Sequence, residues 1–257
     1  MTFPARLRRL LADRRVWFVA GFIALLVGGR LLGLDRYLSI EALAEHRATL
    51  LGFVADNLLA AALAYVVVYA AIVALSVPGA AVLSVSGGFL FGPWVGAGLS
   101  VTGATIGATL IFLLARRVFG ADALDRLGPR AQKVAAALRR DAIPYMLVLR
   151  LTPLLPFFLV NLVPAFVGVP LGVYVATTFI GILPGSLVYN LAGAGLGTIL
   201  DEGGTLSLAS IMTPELIGAL VVVAVLSLVA IPLKARFARG VATPTQPSGQ
   251  SGGGNAR

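Results

Sequence analysis

Residues 58–115 contain no Asp, Glu, Lys or Arg, and residues 142–200 contain a single charge, Arg150. A helix needs about 20 residues to cross the core of a bilayer, so each block holds more than one membrane segment. Two shorter apolar runs, 16–34 and 216–233, flank the blocks. Charged residues make up 12% of the chain, about half the share of an ordinary soluble domain. A water-soluble enzyme domain and a disordered chain are thereby excluded. The absence of cysteine excludes disulfides and thiolate metal sites. The sequence lacks the alternating segments of roughly 10 residues that build an outer-membrane barrel.

The net charge of +9 would suggest nucleic acid on a soluble fold. Its distribution says otherwise. Residues 1–15 carry five Arg and one Asp, 116–141 carry seven basic and three acidic residues, and 234–257 carry four basic and no acidic residues. Residues 35–57 carry two Arg against four acids, and 201–215 carry three acids and no base. Basic loops stay in the cytoplasm, so the first three segments, and both termini, are expected inside and the other two outside. No nucleic-acid partner is expected.

The orientation imposes a parity constraint. The chain is outside at Asp56 and inside at Arg116, so residues 58–115 cross an odd number of times. Residues 94–115 suffice for one crossing, about 33 Å of helix. Residues 58–77 and 80–91 must then enter and leave on one side, as a re-entrant hairpin with its tip at Pro78-Gly79, where Pro removes a donor and Gly permits a tight reversal. The second block repeats the logic, with a hairpin tip at Pro153-Leu-Leu-Pro156 and a crossing over 171–191. The expectation is an all-α polytopic membrane protein with about four spanning helices and two re-entrant hairpins inserted from opposite faces.

The two blocks align at an offset of 77–78: Pro78 with Pro156, Phe89 with Phe166, Pro93 with Pro170, and Gly103-x-x-x-Gly107 with Gly181-x-x-x-Gly185. One crossing separates the copies, which makes the repeat inverted. Inverted repeats with broken helices are a recurrent transporter plan, with the substrate path at the repeat interface. The expected organisation is 1–57 for the N-terminal segment, first membrane helix and an outer interfacial helix; 58–200 for the repeat core; 201–236 for an outer loop and last helix; and 237–257 for a disordered tail rich in Gly, Ser, Thr and Pro. Arg14-Arg15 before an apolar run has the look of a leader, but no small-x-small site follows, so a retained first helix is expected.

Arg150 is costly in a membrane, about 2.5–3.5 kcal/mol at the centre on insertion scales. It must meet water, an anion or a polar partner. Two readings follow: contact with an anionic headgroup or phosphate, or a structural role, either bonding hairpin carbonyls or anchoring at the interface. Asn161 either lines the same polar path or joins two helices. For Asn190 the helix-joining role is favoured, at about 0.6 kcal/mol. Gly87, Gly88, Gly92, Gly103, Gly107, Gly181 and Gly185 are expected at close helix contacts. Arg116, with Arg117, ends a spanning helix at the interface, where cations complement the helix dipole and anionic lipid. His46, the lone histidine, lies on 39–54, read as an amphipathic interfacial helix, and is expected to be solvated. No metal site, cofactor or catalytic residue is expected: no His, Cys or carboxylate cluster lies in the blocks, and Ser84, Ser86, Ser100 and Ser186 lack an embedded base.

Pro78-Gly79, Ser86-Gly-Gly-Phe-Leu-Phe-Gly-Pro93, Gly103-Ala-Thr-Ile-Gly107-Ala108, Leu114-Ala-Arg116 and Arg150-Leu-Thr-Pro153-Leu-Leu-Pro156, followed by Asn161 and Gly168, resemble the DedA/VTT-domain superfamily, in particular its branch of SNARE-associated Golgi proteins. The likeness covers about residues 58–197. It implies two re-entrant hairpins in inverted repeats and lipid work: movement or scrambling of phospholipids or polyprenyl phosphates, and a place in the bacterial inner membrane. Many members carry a carboxylate, linked to proton coupling, just after the first hairpin's Pro-Gly. Here that position is Ala80. The expected partners are membrane lipids with anionic headgroups, with self-association into a homo-oligomer left open. A secondary transporter of a small solute or ion and a non-transporting scaffold are the alternatives.

Overall fold

The computed structural model describes residues 45–77, 79–119, 128–151, 157–201 and 213–226, together with positions 21, 28, 43 and 228. The described chain is helical throughout: α1 (Arg47–Asp56), α2 (Leu58–Ala74), α3 (Ala80–Phe91), α4 (Pro93–Phe119), α5 (Gly128–Arg140), α6 (Ala142–Leu151), α7 (Phe157–Val167), α8 (Leu171–Asp201) and α9 (Pro214–Leu226).

Two of these helices are long and apolar enough to cross a membrane, Pro93–Phe119 and Leu171–Ile199. The count becomes three if α1 and α2, bent by 119° at Asn57, form one span. Of the other two spans expected from the sequence, 16–34 lies outside the described residues apart from Gly21 and Gly28, and α9 is shorter than a full span. The expected interfacial helix is described from Glu45 onward. It buries no residue between Arg47 and Asp56, so it lies on the body rather than in it, and His46 is exposed.

Local sequence explains the boundaries. Gly92 and Gly168 have φ of 78° and 79°, a left-handed conformation that glycine adopts without steric cost. Gly92 stands directly before Pro93, the first residue of α4, and Gly168 two residues before Pro170, which immediately precedes α8; a missing N–H is no loss at a helix start. Arg116 and Arg117 close α4 and complement its dipole. The reversal before α3 passes through Gly79, with φ of 145°; the expected tip residues Pro78, Pro153 and Pro156 lie outside the described residues.

After that reversal α3 runs back along α2. Tyr69 donates to Ala80 O at 3.2 Å and shares a 2.9 Å hydrogen bond with Ser84 Oγ, Tyr65 donates to Leu83 O at 2.7 Å, and the Tyr65 and Phe91 rings sit 5.5 Å apart. As the α2 number falls, its α3 partner's number rises, which is the signature of an antiparallel return.

Helix packing follows the two halves of the sequence. α2 lies on α4 and α6 lies on α8, while each short arm crosses to the other half's long helix, α3 onto α8 and α7 onto α4. Exchanging the halves maps these pairings onto themselves. The core between them gathers Tyr65, Tyr69, Phe112, Met146 and Tyr174. The outer faces are apolar as well: Leu59 is 74% and Trp94 73% exposed, a surface suited to lipid rather than water.

Candidate functional site: a cavity beside Arg150

Arg150 lies in the last turn of α6, where a cation complements the helix dipole. Its side chain leaves α6 and meets two other helices. Nη1 donates to Asn161 Oδ1 of α7 at 2.8 Å, and Nη2 donates to Thr178 Oγ1 of α8 at 2.7 Å. The guanidinium carbon stands 5.2 Å from the centroid of Tyr174, within cation–π range. Tyr174 and Thr178 are one turn apart on α8 and so share a face. Gly181 makes room on the same face, since a Cβ there would lie 2.7 Å from Arg150 Cβ.

Tyr174 carries the cluster on to α4. Its hydroxyl lies 3.2 Å from Ala108 O and 3.3 Å from Asn161 Oδ1, and its ring stacks on Phe112 at 4.3 Å. Arg150, Asn161, Tyr174 and Thr178 thus tie α4, α6, α7 and α8 together. Asn161 and Tyr174 are fully buried.

The partners of Arg150 in this cluster are neutral. A guanidinium has five N–H donors, and Arg150 Nε, like Asn161 Nδ2, has no hydrogen-bond partner among the described residues. Arg150 also borders a cavity of about 220 Å³ whose wall includes Ser84, Ser100, Thr178, Ser186 and Tyr189, with Ala80, Gly181 and Gly185 but, among the described residues, no carboxylate. A partly desolvated cation with no acidic partner among the described residues is attracted to an anion placed nearby.

A second polar cluster stands at the same cavity. Asn190 Nδ2 donates to Ser186 O at 2.8 Å and to Ser186 Oγ and Ser100 Oγ at 3.3 Å each, and Ser100 Oγ meets Tyr65 Oη at 2.6 Å. Asn190 therefore bonds within α8 and across to α4. Glycines close around it: an added Cβ at Gly87 would lie 2.8 Å from Asn190 Oδ1, and one at Gly88 would collide with the Asn190 carbonyl. Gly103 and Gly107 play the same part between α2 and α4, with Cβ positions 2.7 Å from Tyr69 Cβ and 2.8 Å from Val73 Cβ.

Two glycines depart from the packing expectation. Nothing lies within 4 Å of a Cβ at Gly92 or Gly185. Gly92 is needed for its φ, and Gly185 widens the cavity. Arg116 is exposed at the end of α4. Tyr174 and Thr178 were not singled out from the sequence, although Tyr174-x-x-x-Thr178-x-x-Gly181 places all three on the face of α8 that receives Arg150. Among the described residues, no three His, Cys, Asp or Glu side chains form a group that could hold a metal ion.

Residues 77–195, which include Arg150, Asn161, Tyr174, Thr178, Ser100, Ser186 and Asn190, match the VTT domain. The chain is 33% identical over 162 residues to the transmembrane protein 41 homolog of Dictyostelium discoideum, covering 62% of this chain and 48% of that protein. It is 31% identical over 167 residues to transmembrane protein 41B of Danio rerio, covering 64% and 58%. With the transmembrane protein 41 homolog of Caenorhabditis elegans it is 30% identical over 175 residues, covering 67% and 69%. The matched region thus spans about half the length of the first two relatives. No solved structure matches the chain. The chain is an integral membrane protein that belongs to the DedA/VTT-domain superfamily, in the branch of SNARE-associated Golgi proteins with the transmembrane protein 41 proteins.

Proposed function

We propose that the chain moves lipid headgroups across the bilayer, with the headgroup passing through the cavity and the acyl tails remaining in the membrane. The observation that carries this reading is the charge of Arg150 at the cavity wall, without an acidic partner among the described residues. Arg150 would attract the phosphate through charge-assisted hydrogen bonds. Asn161, Thr178 and Tyr174 would hold the guanidinium in place and leave its charge intact. The reading involves no covalent step and no cofactor.

Ala80 lies on the cavity wall where many family members carry an acid, so movement is proposed to run down the lipid gradient without proton coupling. The arginine distribution supports cytoplasmic termini and a re-entrant course for the two short arms. The relatives above are eukaryotic, which gives the expected bacterial inner membrane no support.

The test is a headgroup-accessibility assay on purified protein in liposomes holding a trace of acyl-labelled phosphatidylglycerol. Inner-leaflet label should become accessible to an external quencher faster than in protein-free vesicles. Equal rates would contradict the proposal. A small-solute transporter would instead release an encapsulated anion while the lipid stays put.

A further inference from the structure

Besides Tyr69 and Tyr189, five polar side chains stand on the cavity wall: Arg150 and the hydroxyl-bearing Ser84, Ser100, Thr178 and Ser186. They come from four helices, α3, α4, α6 and α8. Thr178 Oγ1 is taken up by Arg150, and Ser100 Oγ by Tyr65 and Asn190. Ser186 makes a single side-chain contact, and Ser84, with two partners as Ser100 has, keeps an acceptor site. Ser186 Oγ accepts from Asn190 Nδ2, so its own proton remains available. Ser84 Oγ lies between Ala80 O and Tyr69 Oη, which leaves at least one lone pair, because a hydroxyl combines one donor with two acceptor sites. The cavity therefore offers a cation together with hydroxyls able to give and to accept, and among the described residues its wall offers no anion.

From this we infer that the site prefers headgroups that join a phosphate to free hydroxyls, as a glycerol phosphate does, over headgroups that carry an amine, and that Ser84 and Ser186 set this preference. The inference rests on the lipid reading above. An ammonium on the same headgroup would share a cavity of about 220 Å³ with Arg150 and find no carboxylate among the described residues of the wall to offset the like-charge repulsion. A hydroxyl in the same place adds no charge and can both donate to and accept from the serines.

The two serines can be removed with little damage to the frame. In Ser186→Ala, Asn190 Nδ2 keeps Ser186 O and Ser100 Oγ. In Ser84→Ala, the Tyr69 hydroxyl keeps Ala80 O. No buried donor is stranded by either change, and the volume lost is one oxygen at each site.

The experiment compares acyl-labelled phosphatidylglycerol and acyl-labelled phosphatidylethanolamine in liposomes of one bulk composition, for the full-length chain and for the Ser84→Ala/Ser186→Ala variant. A third arm follows efflux of encapsulated glycerol phosphate. The wild-type chain should move the glycerol headgroup about tenfold faster, as two neutral hydrogen bonds allow, and the double variant should lose most of that factor, keeping only the part set by repulsion between Arg150 and the ammonium. Ser186→Thr, which keeps the hydroxyl, should keep most of the preference, and serves as the reference if the double variant folds poorly. Equal wild-type rates for the two lipids would overturn the inference while leaving the lipid reading intact. If neither lipid moves and glycerol phosphate stays inside, both fall. Efflux of glycerol phosphate without lipid movement would keep the recognition chemistry and assign it to a soluble anion instead of a lipid.

Discussion

Arg150 Nη1 and Asn161 Oδ1 are joined by a 2.8 Å hydrogen bond between the helices on either side of the Pro153–Pro156 segment. The acceptor is an amide, so the bond fixes the guanidinium without cancelling its charge. Asn161→Asp keeps an acceptor at the same place and adds a negative charge. The variant is expected to fold to a normal level and to lose at least tenfold in lipid movement, because a buried carboxylate would pair with Arg150 in place of the phosphate. Asn161→Ala removes the acceptor and is expected to cost about 1–3 kcal/mol, read as a lower thermal midpoint in detergent.

Gly88 faces the backbone carbonyl of Asn190, and Gly193 faces that of Val85. A methyl group at either place has no flexible side chain to displace, so α3 must shift off α8. Gly88→Ala and Gly193→Ala are each expected to destabilise by at least the 1–3 kcal/mol, roughly, that core overpacking costs. Gly185→Ala meets nothing within 4 Å and is expected to fold normally. Fluorescence-detected size-exclusion profiles of the three variants check the contrast.

Ala80 is the position where a carboxylate would enter the cavity that Arg150 borders. Dissipating the proton gradient is expected to leave lipid movement by the wild-type chain unchanged. Ala80→Glu supplies an internal anion and is expected to slow movement severalfold. Loss of wild-type movement on adding an uncoupler would contradict the uncoupled reading and point to another acid.

Orientation is tested separately. A single cysteine at Gln132, an exposed position on α5, is expected to react only with reagent on the cytoplasmic side, and one at Thr205 only from outside. Labelling of position 132 from outside would break the parity argument, and the re-entrant course of both short arms with it.

The parts of this fold legible in the sequence are those written in charge and in backbone-breaking residues. The charge-free blocks announced the long helices, and Gly92-Pro93 and Gly168-Val-Pro170 marked where α4 and α8 begin. Arg150 stood out as the lone charge of its block. Its partners were harder to read because they are uncharged: Thr178 and Tyr174 are ordinary residues for a membrane helix, and only the crossing of α6 on α8 makes them ligands of the guanidinium. Gly181 and Gly185 look alike in the repeat, yet one faces the Arg150 stem and the other the open cavity. Spacing along a single helix does not distinguish these surroundings, since they depend on which helix lies opposite.

The central claim is that the charge of Arg150 serves the moving headgroup rather than the fold alone. The direct measurement is lipid movement per folded molecule, with folded protein counted after reconstitution, for wild type, Arg150→Lys and Arg150→Ala. Lys keeps the charge but loses the fork that reaches Asn161 and Thr178 together. The account predicts a graded series: Arg150→Lys partly active, and Arg150→Ala reduced at least a hundredfold while its folded amount stays close to normal. An Arg150→Ala protein with normal movement per folded molecule, or one that fails only by disappearing from the membrane, would contradict it.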